Sequence, residues 1–256
     1  MEVHHPHHIT HKKNWKEYLL EFFMLFLAVF LGFVAENIRE NIGNHKREKE
    51  YIQSMLQDLQ SDTTNLARAI SAYEKKDNLF DTVFVLYPTL TAEYNSTLIN
   101  SISRLRGYPD FVYTDRTIQQ LKNSGGMSLI RNQNAANAIT AYDVNMRKLD
   151  QNMNVLIGFF NDVAKSWREI FDNEALTQND SATDVILNKD KKNYLLKNDR
   201  ATLGRFYNEL KDFRSSCDFI KLQEEALKNR AENLMILLQK EYHLHYKQEK
   251  NKAGED

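Results

Sequence analysis

From Phe22 to Ala35 the chain reads FFMLFLAVFLGFVA without one polar residue, and Tyr18, Leu19 and Leu20 extend the run upstream past Glu21. A helix buried in a water-soluble bundle keeps a polar face, and this stretch is apolar all round. Roughly 20 helical residues cross about 30 Å of hydrocarbon, a length that Tyr18 to Ile38 supplies if Glu21 and Glu36 sit near the two interfaces. Trp15 and Tyr18 then fall at headgroup level, with Lys12, Lys13 and Lys16 outside them as an anchoring belt. The stretch 18–38 therefore reads as a transmembrane helix with the lipid bilayer as its first partner.

Other uses of an apolar segment near an N-terminus fit less well. A cleaved signal peptide needs small residues one and three positions before the cut. Cutting after Ala35 leaves Phe33 in the outer of these places, and cutting after Gly32 leaves Phe30 there. A lipid-modified cysteine is excluded, since the chain's one cysteine is Cys217. Basic residues do not set the orientation, because Lys12, Lys13 and Lys16 are balanced by Arg39, Lys46, Arg47 and Lys49. The expected arrangement is an uncleaved signal anchor in an inner membrane, with a short cytoplasmic His- and Lys-rich tail (1–17) and an extracytoplasmic C-terminal part. Glu21 has two readings: an acid that snorkels to the interface, or a contact to a partner helix or proton path.

Even with the span included, the whole chain has 27% charged residues and a mean hydropathy of −0.60, the composition of a protein that stands in water over most of its length. Lys and Arg number 34 against 35 Asp and Glu, a net charge of −1, so no basic field exists to hold nucleic acid. Three prolines and eight glycines are too few turn punctuators for a sandwich or an α/β fold. The expected class is all-α: the transmembrane helix continues into an elongated three- or four-helix bundle with long antiparallel helices, spanning 39–246.

Apolar positions recur after the span as Ile38, Ile42, Ile52, Leu56, Leu59, Leu66, Ile70 and Tyr73. Gly43 and the polar cluster from Asn44 to Glu50 predict a hinge or short break there. Pro88 ends this pattern, and a shorter helix is expected from about Thr91 to Leu105. After Gly107 and Pro109, Thr114 or Asp115 can cap a short helix carrying Ile118 and Leu121, which Gly125 and Gly126 then stop.

The clearest element carries Ile139, Tyr142, Met146, Leu149, Met153, Leu156, Phe160, Val163, Trp167 and Ile170 at spacings of three and four. It predicts a helix of about forty residues, roughly 60 Å long. A polar stretch from Glu174 to Lys197 follows, and then Asp199 is placed to cap a last long helix with Leu203, Phe206, Leu210, Phe213, Cys217, Ile220, Leu227, Ala231, Leu234 and Leu238. Cys217 on this stripe reads as core. The heptads also suit an intermolecular coiled coil, but Phe160, Trp167, Phe206 and Phe213 are bulky for two strands and favour an intramolecular bundle. The tail 247–256 is too polar to pack and reads as disordered.

Chemistry-bearing motifs are scarce. His4, His5, His7, His8 and His11 crowd the first residues and could hold a soft divalent metal, although Glu2 is their one acidic companion and a solvated tail is the preferred reading. His243 and His245, two apart, point to different sides of a helix. Phosphate-loop, dinucleotide, nucleophile-elbow and zinc-hydrolase signatures are absent, and no Glu-x-x-His pair serves a di-iron bundle. No enzymatic activity and no cofactor are expected.

Two stretches resemble an uncharacterised family of single-span membrane proteins from Bacteroidota. The first, Glu21 to Leu66, has an acid before the apolar run and a basic then acidic amphipathic helix after it. The second, Thr117 to Asp143, carries Leu121, Ser124, Gly125, Leu129, Ile130, Asn132 and Tyr142. The His-rich leader and the Ala-Glu-Asn exit from the span depart from that pattern. The resemblance implies a cell-envelope location and an all-α exposed domain, and no activity. The expected role is a membrane-anchored interaction or sensory module with a protein partner or self-association. The turn at Gly125 and Gly126 is the candidate contact surface, with a simple helix-helix corner as its bland reading. The alternative is an accessory subunit of a membrane enzyme or transporter, reached through Glu21.

Overall fold

The structure, a computed structural model, describes residues 14–178, 185–188, 190 and 193–244. It is all-α apart from one small hairpin: α1 (Trp15–Leu86), α2 (Ser96–Arg104), α3 (Arg116–Asn123), α4 (Gln133–Ile170), β1 (Leu176–Gln178), β2 (Val185–Leu187) and α5 (Arg200–Glu241). The chain divides into two compact units, 1–50 and 51–256.

In the first unit the apolar run behaves as its composition demands. Near the N-terminus lies one helical stretch long and apolar enough to cross a membrane, and none of it is buried. Phe22, Phe23, Leu25, Phe30 and Phe33 are all exposed. The expected break at Gly43 does not occur, and helical conformation continues through it. One helical glycine costs about 1 kcal/mol, which close pairs one turn apart, such as Asn41 on Asn37 (2.7 Å), help to offset.

The second unit is a four-membered bundle in which neighbouring members run in opposite directions. The part of α1 from Tyr51 onward is antiparallel to α5, as Lys221 meets Asp77 at 3.0 Å and the Tyr87 hydroxyl donates to the Leu203 carbonyl at 2.7 Å. Helix α4 is also antiparallel to α5, with Asn132 on Glu241 at one end and Asn152 on Gln223 further along. The second member is not one helix but α2, an irregular stretch and α3 in series. It runs antiparallel to α1, from Lys76 beside Arg104 to Tyr51 beside Ser124.

The long helices form as their periodicity requires. Helix α4 has 38 residues and α5 has 42. Asn132 and Asp199 cap them by accepting from the backbone N–H of Ala135 and Thr202. Seam aromatics pack on one another within the chain, Phe213 against Phe80 (5.7 Å between ring centres) and Phe160 (5.9 Å), and Phe171 against Phe206 (5.8 Å).

Several local expectations shift. Helix α2 begins at Ser96, where the Asn95 side chain caps it; Tyr87–Thr89 is a 3-10 turn instead. The stretch read as merely polar contains the antiparallel pair β1 and β2, in register Leu176 opposite Leu187. Buried Val185 ties the hairpin down, its N–H donating to the Asn100 side chain at 2.6 Å. Helix α5 stops at Glu241, so His243 is not helical but sits at a positive φ of 50°. The His-rich leader with His4, His5, His7 and His8, the residue His245 and the tail 247–256 lie outside the described residues.

Candidate functional site

The interruption between α2 and α3 is where this bundle departs from regular packing. A backbone that is neither helix nor sheet must find partners for its N–H and C=O groups elsewhere, and here one face of α1 supplies them. Lys76 donates to the carbonyls of Arg104 and Leu105 (3.3 and 3.5 Å), Tyr73 to that of Pro109 (3.1 Å), and Asn65 to that of Val112 (3.4 Å). Asp62 accepts the Thr114 N–H at 2.7 Å and the Tyr142 hydroxyl at 2.9 Å. Asp58 accepts the Thr117 N–H at 3.0 Å and the Arg116 guanidinium at 2.7 Å. Residues 58, 62, 65, 73 and 76 lie at helical spacing, so one row of polar side chains runs beside the apolar seam. Asp58 also caps α3 from outside: Asp115, in the cap position, makes no side-chain cap bond.

The irregular stretch leaves a cavity of about 130 Å³ against α4, walled by Tyr108, Asp110, Phe111 and Tyr113 on one side and by Met146, Met153 and Asp150 among the α4 residues on the other. Tyr108 is held by an edge-on contact with Phe160 at 5.3 Å. Met153 also meets the Tyr73 hydroxyl at 3.9 Å, linking the cavity wall to the core.

In that core lies Glu224 of α5, with no exposed surface and neither carboxyl oxygen hydrogen-bonded. Burial, with a smaller push from the Asp110 charge, raises its pKa to about 8. Burial also lifts the Tyr73 hydroxyl well above its ordinary value, with Glu224 adding to it, and lowers the Lys76 ammonium. Cys217 is buried, and burial pushes its thiol up to about 12 despite Lys76 nearby. Such a thiol is inert and belongs to the seam where its periodicity put it.

The residues singled out from the sequence fall elsewhere. Glu21 lies on α1 within the first unit and is exposed. Gly125 adopts a left-handed φ of +69°, and a Cβ on Gly126 would stand 3.1 Å from Tyr51 and from Ser124 and 3.2 Å from Leu121. Tyr51 and Ser124 hydroxyls also meet at 3.3 Å. Turn geometry and close packing thus account for both glycines, while Ser124 and Gly125 remain exposed. Among the described residues no group of three His, Cys, Asp or Glu is placed to hold a metal ion.

Sequence reading passes over Tyr108, Asp110, Phe111 and Tyr113, and takes the adjacent Glu224 and Glu225, on a helix rich in Lys and Arg, as solvated ion-pairing carboxylates, which burial overturns for Glu224. A signal for the buried acid was present: the α5 stripe steps from Ile220 to Leu227 with no apolar residue at the turn between, where Glu224 stands. Nothing in sequence spacing could join 108–113 to α4, because the irregular stretch has no period. Comparison with family models, curated proteins and solved structures finds no match to this chain.

Proposed function

We propose that the chain is a membrane-anchored helical interaction or sensory module of the cell envelope, without enzymatic activity of its own. It is held in an inner membrane by a single span at 18–38 that acts as an uncleaved signal anchor, with the C-terminal domain extracytoplasmic. The observation that carries this reading is the contrast between two apolar surfaces. The side chains from Phe22 to Val34 are uncovered, whereas the helices from Tyr51 onward bury a continuous core of their own. A solvent other than water is the economical cover for the first. The resemblance of 21–66 and 117–143 to an envelope family supports the same placement.

The alternative, an accessory subunit of a membrane enzyme or transporter, is favoured by Glu21, an acid inside the apolar run. Extraction of cell membranes with alkaline carbonate tests the anchor: the full chain is expected in the pellet, and its release would overturn the reading. A protease accessible only from outside the membrane should then digest the C-terminal domain in intact spheroplasts. Crosslinking in cells separates the two roles. Partner capture that survives replacement of the span by an unrelated one supports the module, whereas capture lost with that replacement and with Glu21→Ala supports the subunit.

A further inference from the structure

We propose that the cavity between residues 108–113 and α4 binds a small alkylated ammonium group, free or as a lipid headgroup. Three aromatic residues, Tyr108, Phe111 and Tyr113, wall it, and two carboxylates, Asp110 and Asp150, stand on opposite sides, one on the irregular stretch and one on α4. Phe111 and Tyr113 flank the exposed Val112 and are themselves half-buried, so the two rings turn inward together. Ring faces attract a cation within about 6 Å of their centres, and quaternary ammonium recognition is the functional use of such a ring cluster.

Among the described residues neither the Asp110 nor the Asp150 carboxylate has a hydrogen-bonding or ion-pairing partner, and Arg147, on the same helix as Asp150, is committed to Asp143 at 2.6 Å. The negative charge of Asp110 is felt as far as Glu224 and Tyr73 in the core, adding to the rise that burial gives both. A hard divalent ion suits the place poorly. It needs six or more oxygens, and this wall is largely rings and the thioethers of Met146 and Met153. The size fits an ammonium head: a cavity of about 150 Å³ accommodates benzene, against about 130 Å³ here.

This adds a ligand to the module reading and rests on that reading only for its purpose. Binding in micelles does not require correct insertion or a protein partner, so the two can fail separately. The test is calorimetric titration of the full chain in a maltoside detergent, which carries no ammonium group. Choline chloride is compared with its uncharged isostere 3,3-dimethylbutan-1-ol at matched ionic strength. One choline per chain and no uptake of the alcohol are expected, with Asp110→Asn and Asp150→Asn each weakening choline by about tenfold. Both aspartates are exposed, so unchanged circular dichroism is expected and confirms that the variants fold. Short-chain phosphatidylcholine below its micelle concentration distinguishes the sources: tighter binding than choline assigns a lipid headgroup, weaker binding a free cation. Equal affinity for the alcohol, no heat from the natively folded chain, or a folded Asp110→Asn, Asp150→Asn double variant with unchanged affinity would each overturn the site.

Discussion

Glu224 is the residue most at odds with its surroundings, an acid on the apolar stripe of α5 with neither oxygen bonded. Its folded pKa of about 8 lies above the ordinary 4.5, so between these values the folded chain holds a proton that the unfolded chain has lost. Stability is therefore fullest below about pH 4.5 and falls as pH rises towards 8, by about 1 kcal/mol per pH unit for this one group. Urea midpoints at pH 5, 6.5 and 8 should fall more steeply for the parent than for Glu224→Gln, which does not titrate. Glu224→Leu should be more stable than the parent at pH 8 by roughly 2 kcal/mol. A parent slope equal to that of Glu224→Gln would mean that the acid is solvated after all.

At the scale of elements, the row of polar side chains on α1 does what a second long helix would otherwise do for itself. Asp62 is its centre, and Asp62→Ala strands both the Thr114 N–H and the Tyr142 hydroxyl. A loss of about 2–3 kcal/mol is expected, read from denaturant midpoints, with faster amide exchange in residues 105–117 than in α4. Gly125→Ala should cost roughly 1 kcal/mol through its left-handed backbone. Gly126→Ala should cost at least as much by crowding Tyr51 and Leu121, and Gly126→Ala with Tyr51→Leu should recover part of it, a coupling that thermal unfolding can measure.

The helices themselves were legible, because a stripe at three-four spacing has one stable solution, burial against other stripes. The ends of α2, the hairpin β1–β2 and the cavity were not. Each is held by contacts distant in sequence, such as Val185 on Asn100 or Thr114 on Asp62, which no local pattern records.

At the scale of the whole molecule the two units place opposite demands on solvent. A chain beginning at Tyr51 has lost the exposed apolar run and retains the bundle core. It is expected to be monodisperse and helical in water, with native near-ultraviolet signal from Trp167 stacked on Phe171 at 4.1 Å. The full chain should precipitate or oligomerise when detergent is withdrawn. Sedimentation velocity on the two, with and without detergent, checks this, and a full chain that stays monomeric in water would contradict a bilayer-covered span.

The amino-acid order alone determined the all-α class, the long helices and the cap of the last one at Asp199, the core place of Cys217 and the apolar stretch fit to cross a bilayer. All of these follow from periodicity or composition, which are properties of neighbouring residues. Tertiary structure alone decided that the second bundle member is broken, that α1 side chains satisfy its exposed carbonyls, and that aromatic and acidic residues from it and from α4 enclose a cavity. Those outcomes depend on which backbone groups lack a partner once the helices have packed, and that shortage exists only in three dimensions.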